Sequence, residues 1–366
     1  MRTGDRRRAA RVQAAVALAT AAAATGACAV AWPACGKDDL PEGEITGEVA
    51  TMLEHLPGDA WAVIGIRAAR ARAVPALARL LEWMPAPPVD RAIAENCGLD
   101  PRRGADLAVA TLGGGAGAER VFVAIRGSFT RDSVATCVNE LSDRTGEAIP
   151  ITQEGSLTVY GARHKRSHIY WPTREVAIAA PLADDAPAAL AALVEQAGVR
   201  TDARLMSYVG RVRTGAAFWM AGPLPAAVQK QLARLPGAPA LQGFFASADG
   251  EGSGVRVILG LRLAGAKQAE AAAVTFRDER AELAASAADP RAAAIVEKVE
   301  VTQGGSDIAL TASLTPEEAA LLIDRLAGMT GLPAPGARPG GAGAAGAGAA
   351  PGPAAGSSDA GAKRQP

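Results

Sequence analysis

One six-residue segment occurs twice in this chain, 150 positions apart. Ile151-Thr152-Gln153-Glu154-Gly155-Ser156 returns as Val301-Thr302-Gln303-Gly304-Gly305-Ser306. Alternating apolar residues flank both copies: Ile149, Ile151, Leu157 and Val159 around the first, Val299, Val301, Ile308 and Leu310 around the second. Period-two alternation on either side of a Gly-containing turn is the pattern of a β-hairpin. Gly and Ser are common turn residues, so the hexapeptide alone is weak evidence of duplication. The surroundings strengthen it.

Upstream of the first hairpin, VFVAIRG (121–127) reads as a strand and 131–144 as a helix; upstream of the second, VRVILGLRL (255–263) reads as a strand and 266–287 as a long helix. Further upstream, AWAVIGI (60–66) precedes a predicted helix at 69–83, and AAFWMAG (216–222) precedes one at 225–234. Short amphipathic helices are predicted near 46–55 and 202–212, and apolar ones near 183–197 and 315–328. The last has Thr315 as N-cap, Pro316 at the first position and Glu318 at the third, a capping box. The middle of each half reads β-α-β-β-α-β, the ferredoxin-like order of an antiparallel sheet with helices on one face. The fold class expected is α+β: two tandem ferredoxin-like repeats, each with an extra strand, at 46–197 and 198–331.

The ends of the chain are of a different kind. Arg2, Arg6, Arg7, Arg8 and Arg11 precede an uncharged Ala-rich run from Ala14 to Ala31. A basic front followed by an apolar run and small residues is the order of a bacterial export signal, here residues 1–34. Such a run approaches the length of a membrane span, but alanine is only weakly apolar. Residues 35–45 are polar and acidic and read as a tether. At the other end, 27 of the 35 residues 332–366 are Gly, Ala or Pro. That composition buries too little apolar surface to order a chain.

There are four cysteines, Cys28, Cys35, Cys97 and Cys137. TGAC at Cys28 and PACGKDD at Cys35 both resemble the lipid box of a bacterial lipoprotein, in which small residues precede the acylated cysteine. Lipidation of Cys35 removes Cys28 with the signal and leaves an even pair for an oxidising compartment; lipidation of Cys28 is the alternative, and leaves Cys35 odd. Val89, Ile93 and Cys97 fall on one stripe of a helix predicted at 88–97, and Val134, Cys137, Val138 and Leu141 on one stripe of the helix at 131–144. A Cys97–Cys137 disulfide is expected. The bland alternative is two small buried hydrophobes.

Positive and negative side chains are equal, 38 Lys+Arg against 38 Asp+Glu, so nothing points to nucleic acid. Removing residues 1–34 takes five arginines and Asp5, leaving a mildly acidic mature chain. No pattern supports a metal or a cofactor. His164 and His168 stand four apart in a segment that reads as a turn entering a strand, where that spacing does not converge on a metal. Asp249-Gly250-Glu251-Gly252-Ser253-Gly254 begins like a calcium loop, but position twelve is Gly260 rather than a bidentate acid. Gly113-Gly114-Gly115 lacks the Lys-Ser/Thr of a phosphate loop. No serine stands in a G-x-S-x-G elbow. Asp184-Asp185 and Glu317-Glu318 sit in predicted first turns of helices, where the macrodipole favours them. The chain is not expected to be an enzyme.

One segment stands out. The first half carries an extra hairpin, 164–180, absent from the second. It gathers His164, Lys165, Arg166, His168, Tyr170 and Trp171 in eight residues of a chain poor in aromatics. Basic and aromatic residues together suit an anionic headgroup, a glycan or a partner protein. An edge strand protected by its charges is the plainer reading.

HLPGDAWAVIGI (55–66), a helix end followed by Leu-Pro-x-Asp-Ala and an apolar strand, resembles uncharacterised bacterial lipoproteins of high-GC genomes. The resemblance spans residues 35–331. It implies export, a lipid anchor and a duplicated α+β body, and it carries no active site. The function expected is therefore that of an exported envelope protein held to a membrane by an N-terminal lipid. Within that class, a non-catalytic binding or assembly module with an envelope protein or glycan partner is favoured. A small-ligand or lipid carrier with a pocket between the repeats is the alternative.

Overall fold

The computed structural model describes residues 43–81, 91–99, 104–113, 120–161, 166–180, 186–193, 198–226, 229, 241–287 and 289–330. The leader with Cys28 and Cys35, most of the tether, His164, Lys165, Asp184-Asp185, most of the helix expected at 225–234 and the Gly/Ala/Pro tail lie outside the described residues.

The alternating segments become twelve strands: β1 (Ala60–Arg67), β2 (Ala105–Gly113), β3 (Arg120–Gly127), β4 (Ile151–Glu154), β5 (Leu157–Tyr160), β6 (Ser167–Tyr170), β7 (Val176–Ala179), β8 (Phe218–Pro223), β9 (Leu241–Glu251), β10 (Gly254–Leu263), β11 (Glu300–Gly304) and β12 (Asp307–Leu314). The helices are α1 (Gly47–Glu54), α2 (Ala68–Arg72), α3 (Pro75–Leu81), α4 (Arg91–Asn96), α5 (Arg131–Thr145), α6 (Ala186–Ala192), α7 (Ala203–Val209), α8 (Ala266–Ser286), α9 (Pro290–Glu297) and α10 (Pro316–Thr330). The single helix expected at 69–83 is two, because Pro75 has no N–H to continue α2 and constrains Val74 before it. The capping box of α10 forms as its sequence requires: the Glu318 N–H donates to Thr315 Oγ1 at 3.3 Å, and the Thr315 N–H donates to Glu318 Oε2 at 2.8 Å.

All twelve strands join one sheet, in the order β11-β12-β10-β9-β8-β1-β2-β3-β7-β6-β5-β4, with every pairing antiparallel. The protein is α+β, but the ferredoxin-like order is not the one adopted. That order needs β1 and the strand after its helix to run parallel and apart. Here β2 returns antiparallel beside β1, with Ile64 opposite Ala110. The 37 residues between Arg67 and Ala105 reach either end of the sheet, and alternation carries no information on strand direction. The two halves meet at the centre, where β1 pairs with β8 and Gly65 faces Trp219.

Helices cover both faces, again unlike a ferredoxin-like unit. Directly paired residues share a face. Ala124, Val109, Gly65 and Trp219 form a row on one face, and the core there is closed by α1, α6 and α7 through Val49, Met52, Leu53, Leu190, Leu205, Tyr208 and Val209. Ile125, Ala108, Ile66, Phe218 and Ala248 run across the other face. That face carries three apolar clusters: α4 and α5 over β3, β5, β6 and β7; α2, α3 and α10 near the middle; and α8 over β9, β10 and β12. Gly65 leaves the space into which the Trp219 indole packs. A Cβ there would stand 2.0 Å from the ring.

Candidate interaction surface

The 164–180 hairpin forms as β6 and β7, but not at an edge. β7 pairs with β3, and β6 is bonded to both β7 and β5, so the hairpin is inserted between the first three strands and the β4–β5 hairpin. Its aromatic residues are structural. Trp171 is buried and meets Phe129 edge-on, ring centroids 6.2 Å apart, in the cluster that holds α4 and α5 to the sheet. Tyr170 is half-buried against the core of the opposite face. Of the six residues read as one surface, Arg166 is exposed, where it pairs with Glu154, and His168 is half-buried in β6. The interior position of β6 overturns the protected edge, and among the described residues the burial of Trp171 and half-burial of His168 and Tyr170 leave only Arg166 exposed, while His164 and Lys165 lie outside them. Strand alternation sends every second residue inward whatever charges lie between.

Behind that hairpin, Cys97 and Cys137 are joined. Their Cα atoms are 5.7 Å apart and the bond ties the end of α4 to α5. The same cluster buries Tyr160 completely, and burial pushes its phenol up to about 12 against weaker downward pulls from the Trp171 indole and Arg131. Neither the Tyr160 hydroxyl nor the Trp171 indole N–H closes a hydrogen bond.

A cavity of about 550 Å³ opens at the rim of the first half, lined by α1, β3 and the β6–β7 turn: Glu48, Thr51, Arg126, Thr173, Arg174 and Glu175 among others. Arg67 and Arg126 flank Leu107 in one cross-strand row, and Glu48 in the first turn of α1 accepts from both, at 2.8 and 2.9 Å. The Arg67 guanidinium holds the Glu48 carboxyl below the ordinary carboxylate range, helped by Arg126 and opposed by partial burial. Arg126 also reaches Glu175 at 3.5 Å, and Arg174 pairs with Asp132. The lining charges are thus spent on one another. The cavity belongs to the first half, not to the seam between halves.

The repeated hexapeptide proves to be the most informative feature. Its two copies are the two outermost hairpins, β4–β5 and β11–β12, at opposite edges of the sheet. Each turn has its glycine left-handed, Gly155 at φ 59° and Gly305 at φ 54°, where side chains are strained. In each the Gln side chain donates to the turn carbonyl: Gln153 to Gly155 O at 3.0 Å, Gln303 to Gly305 O at 2.8 Å. In a two-residue hairpin alternate residues turn both backbone groups outward. Those residues are Ile151 and Gln153 in β4, and Val301 and Gln303 in β11.

The edges differ in what lies across them. At β11 the long α8 sends Arg277 to Val301 O at 3.2 Å and Arg280 to Val299 O at 2.6 Å, so guanidinium groups flank this edge and take one of its four outward groups, while among the described residues the Val301 N–H and the N–H and C=O of Gln303 have no partner. At β4 the shorter α5 offers no such arm. Arg131 reaches only the Gln153 side chain, at 3.0 Å. Among the described residues, the outward N–H and C=O of Ile151 and Gln153 have no partner, and Thr152, Gln153 and Glu154 are exposed. Sequence reasoning identified this hairpin as a repeat marker but not as an edge. Among the described residues no group of His, Cys, Asp and Glu could hold a metal, and no helix is long and apolar enough to cross a membrane.

No family model and no curated protein matches the chain. Solved structures of TP0453 are similar at low level. Its crystal form I gives a TM-score of 0.43 at 12% identity, covering 75% of this chain and 96% of that one. Crystal form III gives 0.42 at 11% identity, covering 74% and 96%. A likeness this distant carries no argument about fold or activity.

Proposed function

We propose that this chain is a non-catalytic assembly or binding module of the bacterial envelope, exported and anchored by a lipid on Cys35. Its body is read as two tandem copies of one unit. Each copy is a three-stranded meander followed by a helix and a TQ-x-GS hairpin. The common order outward from the β1–β8 seam and the shared Gln-to-turn bond support that reading. The first copy gains the β6–β7 hairpin, and the second gains a longer α8 with α9.

The observation that carries the binding role is the unequal treatment of the two edges. Exposed edges invite pairing, and proteins generally block them. Among the described residues the same hairpin is flanked by arginines that take a backbone carbonyl at one end of the sheet and has no backbone group taken at the other, which supports β4 as the edge where a partner strand adds. The test is capture of partners by the full chain in three forms: wild type, Thr152→Lys and Thr302→Lys. Loss of binding with Thr152→Lys alone is the expected result. Equal binding by all three overturns β4 as the working edge.

A further inference from the structure

We infer that β4 pairs with β4 of a second copy of this chain, antiparallel and about a two-fold axis. This rests on reading β4 as the working edge, and it names the occupant. The argument begins with what the edge has left to offer. On one side the ladder ends at the turn. On the other, Pro150 has no N–H and its carbonyl is taken by Gly161 at 3.0 Å, while the Ile149 N–H is taken by Ser142 Oγ at 3.2 Å. Within β4 itself what remains is two donors and two acceptors, the N–H and C=O of Ile151 and of Gln153.

That set is its own complement. If Ile151 of one copy faces Gln153 of the other, each exchanges two hydrogen bonds, and the symmetric pair exchanges two more. Thr152 then lies on the axis facing its own counterpart, a favourable cross-strand pair. No outward group of either β4 is left over. A longer foreign strand would make the same four bonds and leave its own remaining groups unmatched on this side. The result is an isologous contact that closes at two copies, because each β4 is used up by the other, while at the far end arginines flank β11. Three residues per edge bury much less than a standard interface, so the pair forms where copies are crowded, as on a membrane.

The experiment places Thr152→Cys in the full chain, oxidises it in intact cells, and identifies linked peptides by mass spectrometry. A 152–152 link in most of the protein is expected, with none for Thr302→Cys. Adding Gln153→Pro removes an N–H that bonds nothing in its own sheet, and should cut the link at least tenfold, whereas Gln153→Ala, which loses the same side-chain bonds but keeps that N–H, should retain it. Thr152→Lys, at an exposed position, provides a second reading: it should abolish the protection of the Ile151 and Gln153 amides from exchange when the full chain is crowded on vesicles. A Thr152→Cys chain that stays unlinked, or whose link survives Gln153→Pro, overturns the pairing. A link from position 152 only to a different protein overturns the second copy as occupant and leaves β4 as the working edge. No link of any kind, with capture indifferent to Thr152→Lys, overturns both.

Discussion

Reducing the Cys97–Cys137 bond perturbs the unfolded chain more than the folded one, so its effect can be worked from chain separation. The two residues are 40 apart. Closing a loop of that length removes unfolded-state entropy equivalent to about 4 kcal/mol in the chain-entropy model. In the folded protein the bond ties six-residue α4 to α5, a helix too short to persist without packing. Ile93, Ala94 and Leu99 stay buried against Val134, Val138 and Leu141 whether or not the sulfurs are joined. Reduced protein should therefore fold to the same sheet and be less stable by about that amount. Urea unfolding of the full chain with and without reductant, followed by tryptophan fluorescence, measures it. The reduced form should unfold at lower urea, and Cys97→Ala/Cys137→Ala should lose a further ~1 kcal/mol or so for the missing buried sulfur. Stabilities of oxidised and reduced protein within about 1 kcal/mol would refute the reasoning.

Three further outcomes are expected. Tyr160 stays protonated up to about pH 12 in the fold but ionises near the ordinary tyrosine value of 10.0 when unfolded, so stability should be full below pH 10 and fall towards pH 12, by at most about 2.7 kcal/mol. Tyr160→Phe should flatten that alkaline slope in melting experiments, and an unchanged slope would contradict it. Glu48 has a depressed carboxyl, so its contribution is present above the ordinary carboxylate value of 4.5 and lost as pH falls through the lowered folded value. Glu48→Gln should cost about 0.5 kcal/mol at neutral pH, given its exposed pairs, and nothing in stronger acid. Gly65→Ala drives a methyl into the Trp219 ring and should destabilise by about 1–3 kcal/mol, with a shifted tryptophan emission; a neutral effect would show that the two do not pack as described.

Much of the local structure was legible because it depends on near neighbours. The α5 stripe of Val134, Val138 and Leu141, the Thr315 capping box and both TQ-x-GS hairpins lie where their spacing puts them. The disulfide was legible because two apolar stripes each carried a cysteine. Strand order was not, since the 60–127 segment reads the same whether β2 comes back beside β1 or crosses over. The insertion of β6–β7 between β3 and β5 is likewise a long-range choice, and it is what buries Trp171 under α4 and α5 despite its basic neighbours. The open edge was illegible for a related reason. It depends on Arg277 and Arg280 reaching across from α8, and on α5 having no equivalent reach.

The central claim is that the two repeated hairpins have different fates, β11 flanked by arginines and β4 open for pairing. Residue-resolved amide hydrogen exchange on the full chain, dilute and then crowded on vesicles through the lipid proposed for Cys35, tests it most directly. The account predicts that Ile151 and Gln153 exchange rapidly in the dilute protein and become protected on crowding, while the rate at Val301 and Gln303 does not change. Protection that appears at β11 instead, or β4 amides that are already slow in the dilute chain or stay fast when crowded, would contradict it.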